Sequence, residues 1–453
     1  MDSDWLLQRL GEFEDRTALI WRDESYTYGQ LLQRVSDWRQ VLAEQQVAPG
    51  ECVALHGSFS PGTTTLVIAL VANGNIAVPL TTPSTSERDR GLEIVHAGPF
   101  FQFDQADSWQ FSRRDPGGQN PLLEKFREAH EPGLILLSSG SAGQIKAALH
   151  SFPRLLDHYR KPRAPLRTLA FLLLDHVGGI NTLFNILCSG GAVVAMAERT
   201  PDAICRAVER YRVELLPTTP TFLRMLLISE AYKKYDLSSL QLITYGTEPM
   251  PVATLESLHQ ALPGVRLKQT YGLTEVGILG TKSENSDSLW LAVGGEGYQT
   301  KIVDGVLWIR AQSAMLGYLN APSPFDDEGW LNTGDVVEQK GDYIRFLGRK
   351  SEIINVGGEK VFPAEVENVI QQIANVKEVT VRGRRNPITG NIIVATVELF
   401  EPEDPKALEQ RVRKACRERL TPFKVPAVIE VASQTLCGER FKKIRRVKPA
   451  KGE

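Results

Sequence analysis

The order of strand-like and helix-like stretches predicts an α/β fold: helix-covered, mostly parallel sheets in a large N-terminal part, then a small α+β part. Three observations carry this. Apolar runs of strand length alternate with helical stretches through residues 17–80 and again through 168–269, the pattern of a parallel sheet covered by helices. From Thr300 the runs become short and hairpin-like. Gly348-Arg349-Lys350-Ser351 then reads as a boundary before a second pattern of helices and alternating strands.

In chain order, Ala18–Trp21 reads as a short strand, Tyr28–Glu44 as an amphipathic helix and Glu51–Leu55 as a strand. Thr63–Asn73 is apolar enough for a buried helix and Ile76–Leu80 for the next strand. Residues 81–132 are polar, contain Pro and Gly, and hold little periodicity. Leu134–Leu137 is a further strand-length run, and Thr168–Leu174 another, leading into Asp175-His176-Val177-Gly178-Gly179. Ile180–Leu187 reads as helix and Ala192–Ala197 as strand. βα units follow at Glu214–Pro217 with Thr221–Ile228 and at Leu240–Thr244, and Val265–Gln269 is one more strand. Asp304-Gly305 between Lys301–Val303 and Val306–Arg310 is a hairpin signal. A strand is expected at Tyr343–Leu347. Past the boundary, Pro363 opens a helix with Val366, Val369, Ile370 and Ile373 on one face. Strands Glu378–Arg382 and Ile392–Leu399 follow, and Asp404-Pro405 caps a helix running to Leu420.

Composition narrows the function classes. A chain of 453 residues allows two to four domains at roughly 100–200 residues each. A net charge of −2 gives no global field for nucleic acid or anionic membrane. The 5 cysteines lie far apart without a C-x-x-C pair, which argues against a zinc site or disulfide framework and fits a reducing compartment. The acidic start MDSDWLLQRLGEFEDR lacks the apolar core of a secretory signal, and no apolar run reaches membrane-spanning length. The expectation is a soluble, cytoplasmic protein.

The chemistry gathers in a few stretches. Ser138-Ser139-Gly140-Ser141-Ala142-Gly143 is a small-residue loop after a strand, closed by Lys146. Small residues let backbone N–H groups converge on an anion, and hydroxyls with an ammonium suit a polyphosphate. The Lys falls three residues after the second Gly and precedes Ala147, so this is no Walker A motif. Read alone, the loop is also compatible with a flexible surface linker. His176 is placed at the carboxyl end of a buried strand, where open α/β sheets bind ligands; a lone His there also reads as a satisfied core residue. Tyr271-Gly272-Leu273-Thr274-Glu275 offers a stacking ring, close backbone approach, a hydroxyl and a hard carboxylate ligand. It is also compatible with an ordinary strand-to-helix turn.

Taken in order, SSGSAGQIKAALH, LLLDHVGG, YGLTE, TGD and GRKSEIINVGGEKVFPAEVE resemble the adenylate-forming superfamily of acyl-CoA synthetases, standalone adenylation enzymes and luciferases. The resemblance implies a large N-terminal domain over 1–348 and a small mobile C-terminal domain over 349–453. It implies activation of a carboxylic acid with ATP to an acyl-adenylate, pyrophosphate release, and transfer to a thiol, CoA or a carrier-protein pantetheine. By resemblance Ser138, Ser139, Gly140, Ser141, Gly143 and Lys146 form the phosphate loop, and Gly246, Thr247 and Glu248 contact adenine. Tyr271 lies against the adenine face with Gly272 beside it. Thr274 holds the α-phosphate and Glu275 ligates Mg²⁺. Asp335 binds the ribose hydroxyls with Arg349 as helper, and His176 is the gate beside the acyl pocket.

The chemistry asks for these residue types independently. A carboxylate attacking an α-phosphate must overcome repulsion between anions, which cations and preset donors offset. A carboxylate such as Asp335 can accept from both hydroxyls of a diol.

The chain departs from the family pattern in places. Ala142, Ile145 and Ala147 stand where Thr, Pro and Gly are common, and Ser351 stands at the usually acidic hinge position. The usual Gly-Lys becomes Glu439-Arg440-Phe441-Lys442-Lys443-Ile444-Arg445-Arg446, in which Lys443 aligns best with the adenylation lysine and Lys442 is the alternative. By resemblance, Gly357, Gly358 and Glu359 face a pantetheine tunnel, and the basic tail Phe441–Lys451 meets a carrier protein or CoA phosphates; that tail also reads as a solvated end. Val177 stands where members that take α-amino acids place an Asp, which points to an aryl or medium aliphatic acid without a free α-amine. Two other readings stay open: acyl transfer to an amine or hydroxyl, and a non-catalytic acyl-adenylate-binding protein.

Overall fold

The structure is a computed structural model that describes residues 2–139, 144–161, 163–438, 440, 441 and 443, the side chains of residues 2, 3 and 139 excepted. Two seven-stranded sheets dominate the N-terminal part. One runs, in spatial order, Arg266–Gln269, Leu242–Tyr245, Leu215–Thr218, Arg167–Leu169, Ala192–Ala195, Thr17–Trp21, Glu24–Thr27. Its neighbours are parallel except the final pair, an antiparallel hairpin. The other is parallel in its middle, where Gly133–Ser139, Ile76–Leu80, Cys52–His56 and Pro99–Phe103 lie side by side. It is antiparallel at both edges, through Ile145–Ser151 with Gly317–Tyr318 on one side and Trp109–Arg113 on the other. A six-stranded sheet over residues 280–349 is antiparallel throughout.

The helices between strands follow from local sequence. Thr27 and Gln30 form a reciprocal capping box ahead of Tyr28–Glu44, whose Tyr28, Leu31, Val35, Trp38 and Leu42 fall on one buried stripe. Burial of each large apolar side chain contributes roughly 1.5–3 kcal/mol, so this face and not propensity holds the helix. Pro61–Ala72 is buried on every side between the layers. Within it Thr65 Oγ1 donates to the Pro61 carbonyl at 2.6 Å and accepts from Trp38 Nε1 at 3.1 Å.

Beyond the boundary, helix Pro363–Ile370, strands Val376–Asn386 and Gly390–Leu399, helix Pro405–Arg419 and strand Val428–Val431 close around a core of their own, drawn from residues 354–429. Asp404 caps the second of these helices through Ala407 N at 3.1 Å. The first lies against the N-terminal part through Arg224. That guanidinium, on helix Pro220–Ser229, donates to the carbonyls of Gln371, Val376 and Lys377 at 3.2, 2.9 and 3.2 Å.

The structure corrects two expectations and rules out one alternative reading. Residues 81–132 are not featureless: they hold helices Thr85–Ile94 and Pro121–Glu128 and the strands Pro99–Phe103 and Trp109–Arg113. Caps at Ser84 and Asn120 define those helices where apolar periodicity is weak. The expected strand Thr168–Leu174 stops at Leu169, because Phe171 N turns back to the Leu169 carbonyl at 2.9 Å. His176 is therefore the N-cap of helix Val177–Cys188 and not a strand-end residue. Tyr271–Glu275 leads into no helix but into a tight hairpin, in which Gly272 pairs with Ile278 and Leu273 with Gly277.

Candidate active site

A pocket opens where the two parts of the chain meet, walled by Gly246–Pro249, Gln269–Leu273, Asp335, Phe346, Arg349 and Lys443. Its best-ordered group is built on strand register. Asp335 and Arg349 are direct partners on adjacent antiparallel strands, and Arg349 Nε meets Asp335 Oδ1 at 3.0 Å. Tyr271 donates its hydroxyl to Asp335 Oδ2 at 2.6 Å, and its ring stacks on Phe346 with centroids 4.5 Å apart and planes 17° from parallel. Thr333 Oγ1, bonded to the Leu307 carbonyl, accepts from Asp335 N at 3.0 Å. Burial raises the Asp335 carboxyl above its ordinary range, while Arg349 and Tyr271 pull it back. Each Asp335 oxygen already accepts one hydrogen bond and has capacity for another, which suits a vicinal diol.

Two glycines shape this pocket. A Cβ on Gly246 would stand 2.7 Å from the Thr270 carbonyl oxygen, and one on Gly272 would stand 2.6 Å from the Gly277 carbonyl oxygen. Both backbones thus run closer to their neighbours than any side chain permits. Thr247, at φ +73, takes the left-handed turn between them. Glu248 does not present a free carboxylate to the pocket: it accepts from Thr221 N at 2.8 Å and Lys443 N at 3.3 Å.

The phosphate side is described at its two ends. Ser138 and Lys146 pair across the strands Gly133–Ser139 and Ile145–Ser151. Of the expected loop residues, Gly140, Ser141 and Gly143, with the Ser139 side chain, lie outside the described residues. Tyr318 joins Lys146 to Glu275. The Lys146 ammonium sits 4.8 Å from the Tyr318 ring centroid, and the Tyr318 hydroxyl donates to Glu275 Oε1. Thr274 is next to Glu275 in the same turn. Among the described residues no group of three or more His, Cys, Asp or Glu could hold a metal ion. The chemistry of the donor set fits a magnesium ion carried mainly by phosphate and water oxygens, with Glu275 as the protein's carboxylate.

His176 Nδ1 accepts from Gly178 N at 3.0 Å, which fixes the ring at the helix N-terminus. Asp175 beside it is buried, accepts from Thr81 Oγ1 at 2.7 Å, and pairs with Arg440 at 2.8 Å.

Arg440 belongs to a tail segment that crosses back onto the N-terminal part. Phe441 inserts its ring between Phe171 and Phe222, with centroid distances of 5.2 and 5.6 Å, under the Arg199 guanidinium at 5.3 Å. Thr219 Oγ1 donates to the Phe441 carbonyl at 2.8 Å. Lys443 then lines the pocket while its ammonium pairs with Glu367 at 3.3 Å and Glu378 at 3.2 Å in the C-terminal part. Lys442 lies outside the described residues.

Gly246, Thr247, Glu248, Tyr271, Gly272, Asp335, Arg349 and Lys443 therefore share one pocket. Lys146 and Glu275 are gathered by Tyr318. His176 is not among the residues that line this pocket; it caps helix Val177–Cys188 next to Asp175, which pairs with Arg440. Sequence reasoning missed Tyr318, Phe346, Arg440 and Phe441 as partners of the site. Arg440 and Phe441 carried a signal only as part of the stretch that departs from the usual Gly-Lys.

Comparison with known proteins gives the family and the fold. The AMP-binding enzyme family matches residues 6–319, and the AMP-binding enzyme C-terminal domain matches residues 365–437. The chain is 28% identical to the indoleacetate–CoA ligase of Aromatoleum aromaticum, covering 94% of this chain and 92% of that one. It is 25% identical to the 2-succinylbenzoate–CoA ligase of Bacillus subtilis, covering 94% and 93%. The anthranilate CoA ligase AuaEII, solved with anthranoyl-AMP, superposes with a TM-score of 0.81 over 97% of this chain and 95% of that one at 22% identity. No described helix is long and apolar enough to cross a membrane.

Proposed function

The chain belongs to the AMP-binding family of adenylate-forming enzymes, an acid–thiol ligase, and from that premise we propose how its own residues carry the reaction. The enzyme joins a carboxylic acid to ATP, releasing pyrophosphate, and passes the acyl group of the resulting acyl-adenylate to CoA. In the first step a carboxylate oxygen bonds to the α-phosphorus and the bond to pyrophosphate breaks. In the second a thiolate attacks the acyl carbon and AMP leaves.

The observation that carries the residue assignment is the Tyr271–Asp335–Arg349 group, two hydrogen-bonded contacts on one buried carboxylate at a pocket shared with Lys443. Asp335 takes the ribose hydroxyls and Arg349 holds that carboxylate charged and oriented. Tyr271, braced by Phe346, offers its ring to the base with Gly246, Thr247 and Gly272. Glu248 acts through its carboxylate, which accepts from the main-chain N–H groups of Thr221 and Lys443 and ties the two together. The Ser138–Lys146 loop and Thr274 meet the phosphates. Glu275 would hold Mg²⁺, which would offset polyphosphate charge. Lys443 is the adenylation lysine, and His176 gates the acyl side.

The chain divides near residue 349 into units 1–348 and 349–453, and the short 3-10 turn Lys350–Glu352 is their joint. The hairpin carrying Gly357, Gly358 and Glu359 guides the pantetheine arm of CoA or of a carrier protein. The acid lacks a free α-amine: Val177 offers no carboxylate and Asp175 is already paired with Arg440.

The test is pyrophosphate release from ATP and Mg²⁺ against aryl, fatty and amino acids, with and without CoA. Release with one acid class, raised by CoA, is expected. Release raised instead by an amine identifies that acceptor, and silence across the panel with ATP still bound overturns catalysis.

A further inference from the structure

The hairpin that turns Tyr271, Gly272 and Leu273 toward the nucleotide pocket turns Gly277 and Ile278 of its second strand toward a different cavity. The other wall of that cavity is the first turns of the helix that His176 caps, through Val177, Ile180 and Asn181. It therefore lies between the two elements that carry Glu275 and His176, on the acyl side of the site. It is narrow, about 20 Å³, room for one water-sized group.

His150 lines it from the strand Ile145–Ser151. The residue is 1% exposed, and neither ring nitrogen has a hydrogen-bond partner. The main chain of Thr274 is the nearest hydrogen-bonding neighbour of the ring and opposes the effect of burial on it, although the contact falls short of full hydrogen-bond geometry. The other polar groups of the wall have partners. Ser313 donates to the Val276 carbonyl at 2.8 Å, Tyr298 to that of Ile278 at 3.1 Å, Tyr159 to Asn181 at 3.0 Å, and His158 Nε2 meets the Arg163 guanidinium at 2.9 Å. Leu134, Leu136 and Ile180 supply the apolar remainder. Buried polar groups are almost always paired, so two open nitrogens facing a group-sized space require an occupant.

We propose that this cavity is a subsite for one small uncharged polar substituent of the acid, a hydroxyl, amino or carbonyl group, and that His150 is the specificity-determining residue that reads it. The inference rests on the ligase reading above and deepens it. Burial lowers the ring's pKa to about 4, so at neutral pH one nitrogen donates and the other accepts. That pair suits a hydroxyl or amine in either direction. It does not suit a second carboxylate, because no lysine or arginine lines the cavity among the described residues. A site built to hydrogen-bond such a group rejects analogues that lack it, since the buried ring is then left unpaired.

The experiment measures kcat/KM for pyrophosphate release with benzoate, phenylacetate and cyclohexanecarboxylate, each with and without a ring hydroxyl or amino group, and with a dicarboxylate. The expected wild-type result is a preference of at least about tenfold for a substituted acid over its parent. His150→Leu is expected to shrink that ratio about tenfold, and His150→Gln to keep part of it. A ratio unchanged in His150→Leu, or a wild-type preference for unsubstituted acids or the dicarboxylate, overturns the subsite and leaves His150 a histidine satisfied by a fixed water. Should neither variant fold, the wild-type panel alone decides. Absence of release with every acid overturns the ligase reading instead.

Discussion

Asp335 and Arg349 face each other because their strands are paired in register, and Tyr271 reaches them from a hairpin closed by its own backbone. Arg440, Phe441 and Lys443 have no such support. They belong to no helix and to no strand beyond a lone Cys437–Lys443 bridge, and side chains seat them. One half of the site is set by sheet geometry before any ligand arrives; the other must be docked. Strand pairing fixes a site through many backbone bonds that no single substitution removes. A docked segment concentrates its placement in two or three side chains and is correspondingly easy to displace.

Lys443→Ala breaks the comparison hardest. If the lysine acts on the reacting groups, pyrophosphate release falls about 10²–10³-fold, the cost of one positioned donor, while thioester formation from supplied acyl-adenylate persists. The same change removes the ammonium that sits between the buried Glu367 and Glu378, an expected stability loss of roughly 3–5 kcal/mol in urea unfolding. A large stability loss with undiminished pyrophosphate release would make the lysine a purely structural cation. On the preset side, Asp335→Asn keeps the shape and removes the charge; KM for ATP is expected to rise about tenfold to a hundredfold, the scale of a hydrogen bond to a charged group. Equal KM values would remove Asp335 from the nucleotide contacts.

A pH measurement then probes the rigid wall. His150 has its pKa lowered from 6.5 to about 4 in the folded chain, so the unfolded chain binds a proton that the folded one refuses. Its contribution is fully present above 6.5 and is lost as pH falls toward 4. From pH 7 to 5 the loss is roughly 2 kcal/mol, to be read as the difference in urea stability between wild type and His150→Leu. A pH dependence identical in both proteins would show the ring is not buried neutral.

The preset half was the half legible in sequence. Asp335, Arg349, Tyr271 and Gly272 stood in short ordered motifs, and the parallel βα alternation placed their neighbours. The partners were not legible, for a physical reason: Phe346 and Tyr318 act through contacts across sheets, Tyr271 on Phe346 and Tyr318 between Lys146 and Glu275, which no local pattern encodes. Residues 81–132 escaped because capping and tertiary burial, not periodicity, define their elements. The docked tail was half legible. Its departure from the usual Gly-Lys marked the segment, but only the packing of Phe441 gives the departure a reason.

Phe441→Ala sharpens the comparison most finely. The ring is held by Phe171, Phe222 and Arg199, and its residue sits at φ +52, a conformation costly for a bulky side chain unless its surroundings enforce it. Removing the ring removes the enforcement without touching Lys443, Asp335 or Glu275. Pyrophosphate release is expected to fall about tenfold, equivalent to about 1.4 kcal/mol of lost positioning, with KM for ATP little changed because Asp335 and Tyr271 stay paired. Phe441→Leu, which refills the apolar slot, is expected to recover most of the rate. Thioester formation from supplied acyl-adenylate distinguishes docking from general damage: it survives if Phe441 serves the tail's placement for adenylation. If it falls in step with pyrophosphate release, the aromatic slot is part of the common core, and the contrast between a preset and a docked half fails at that point.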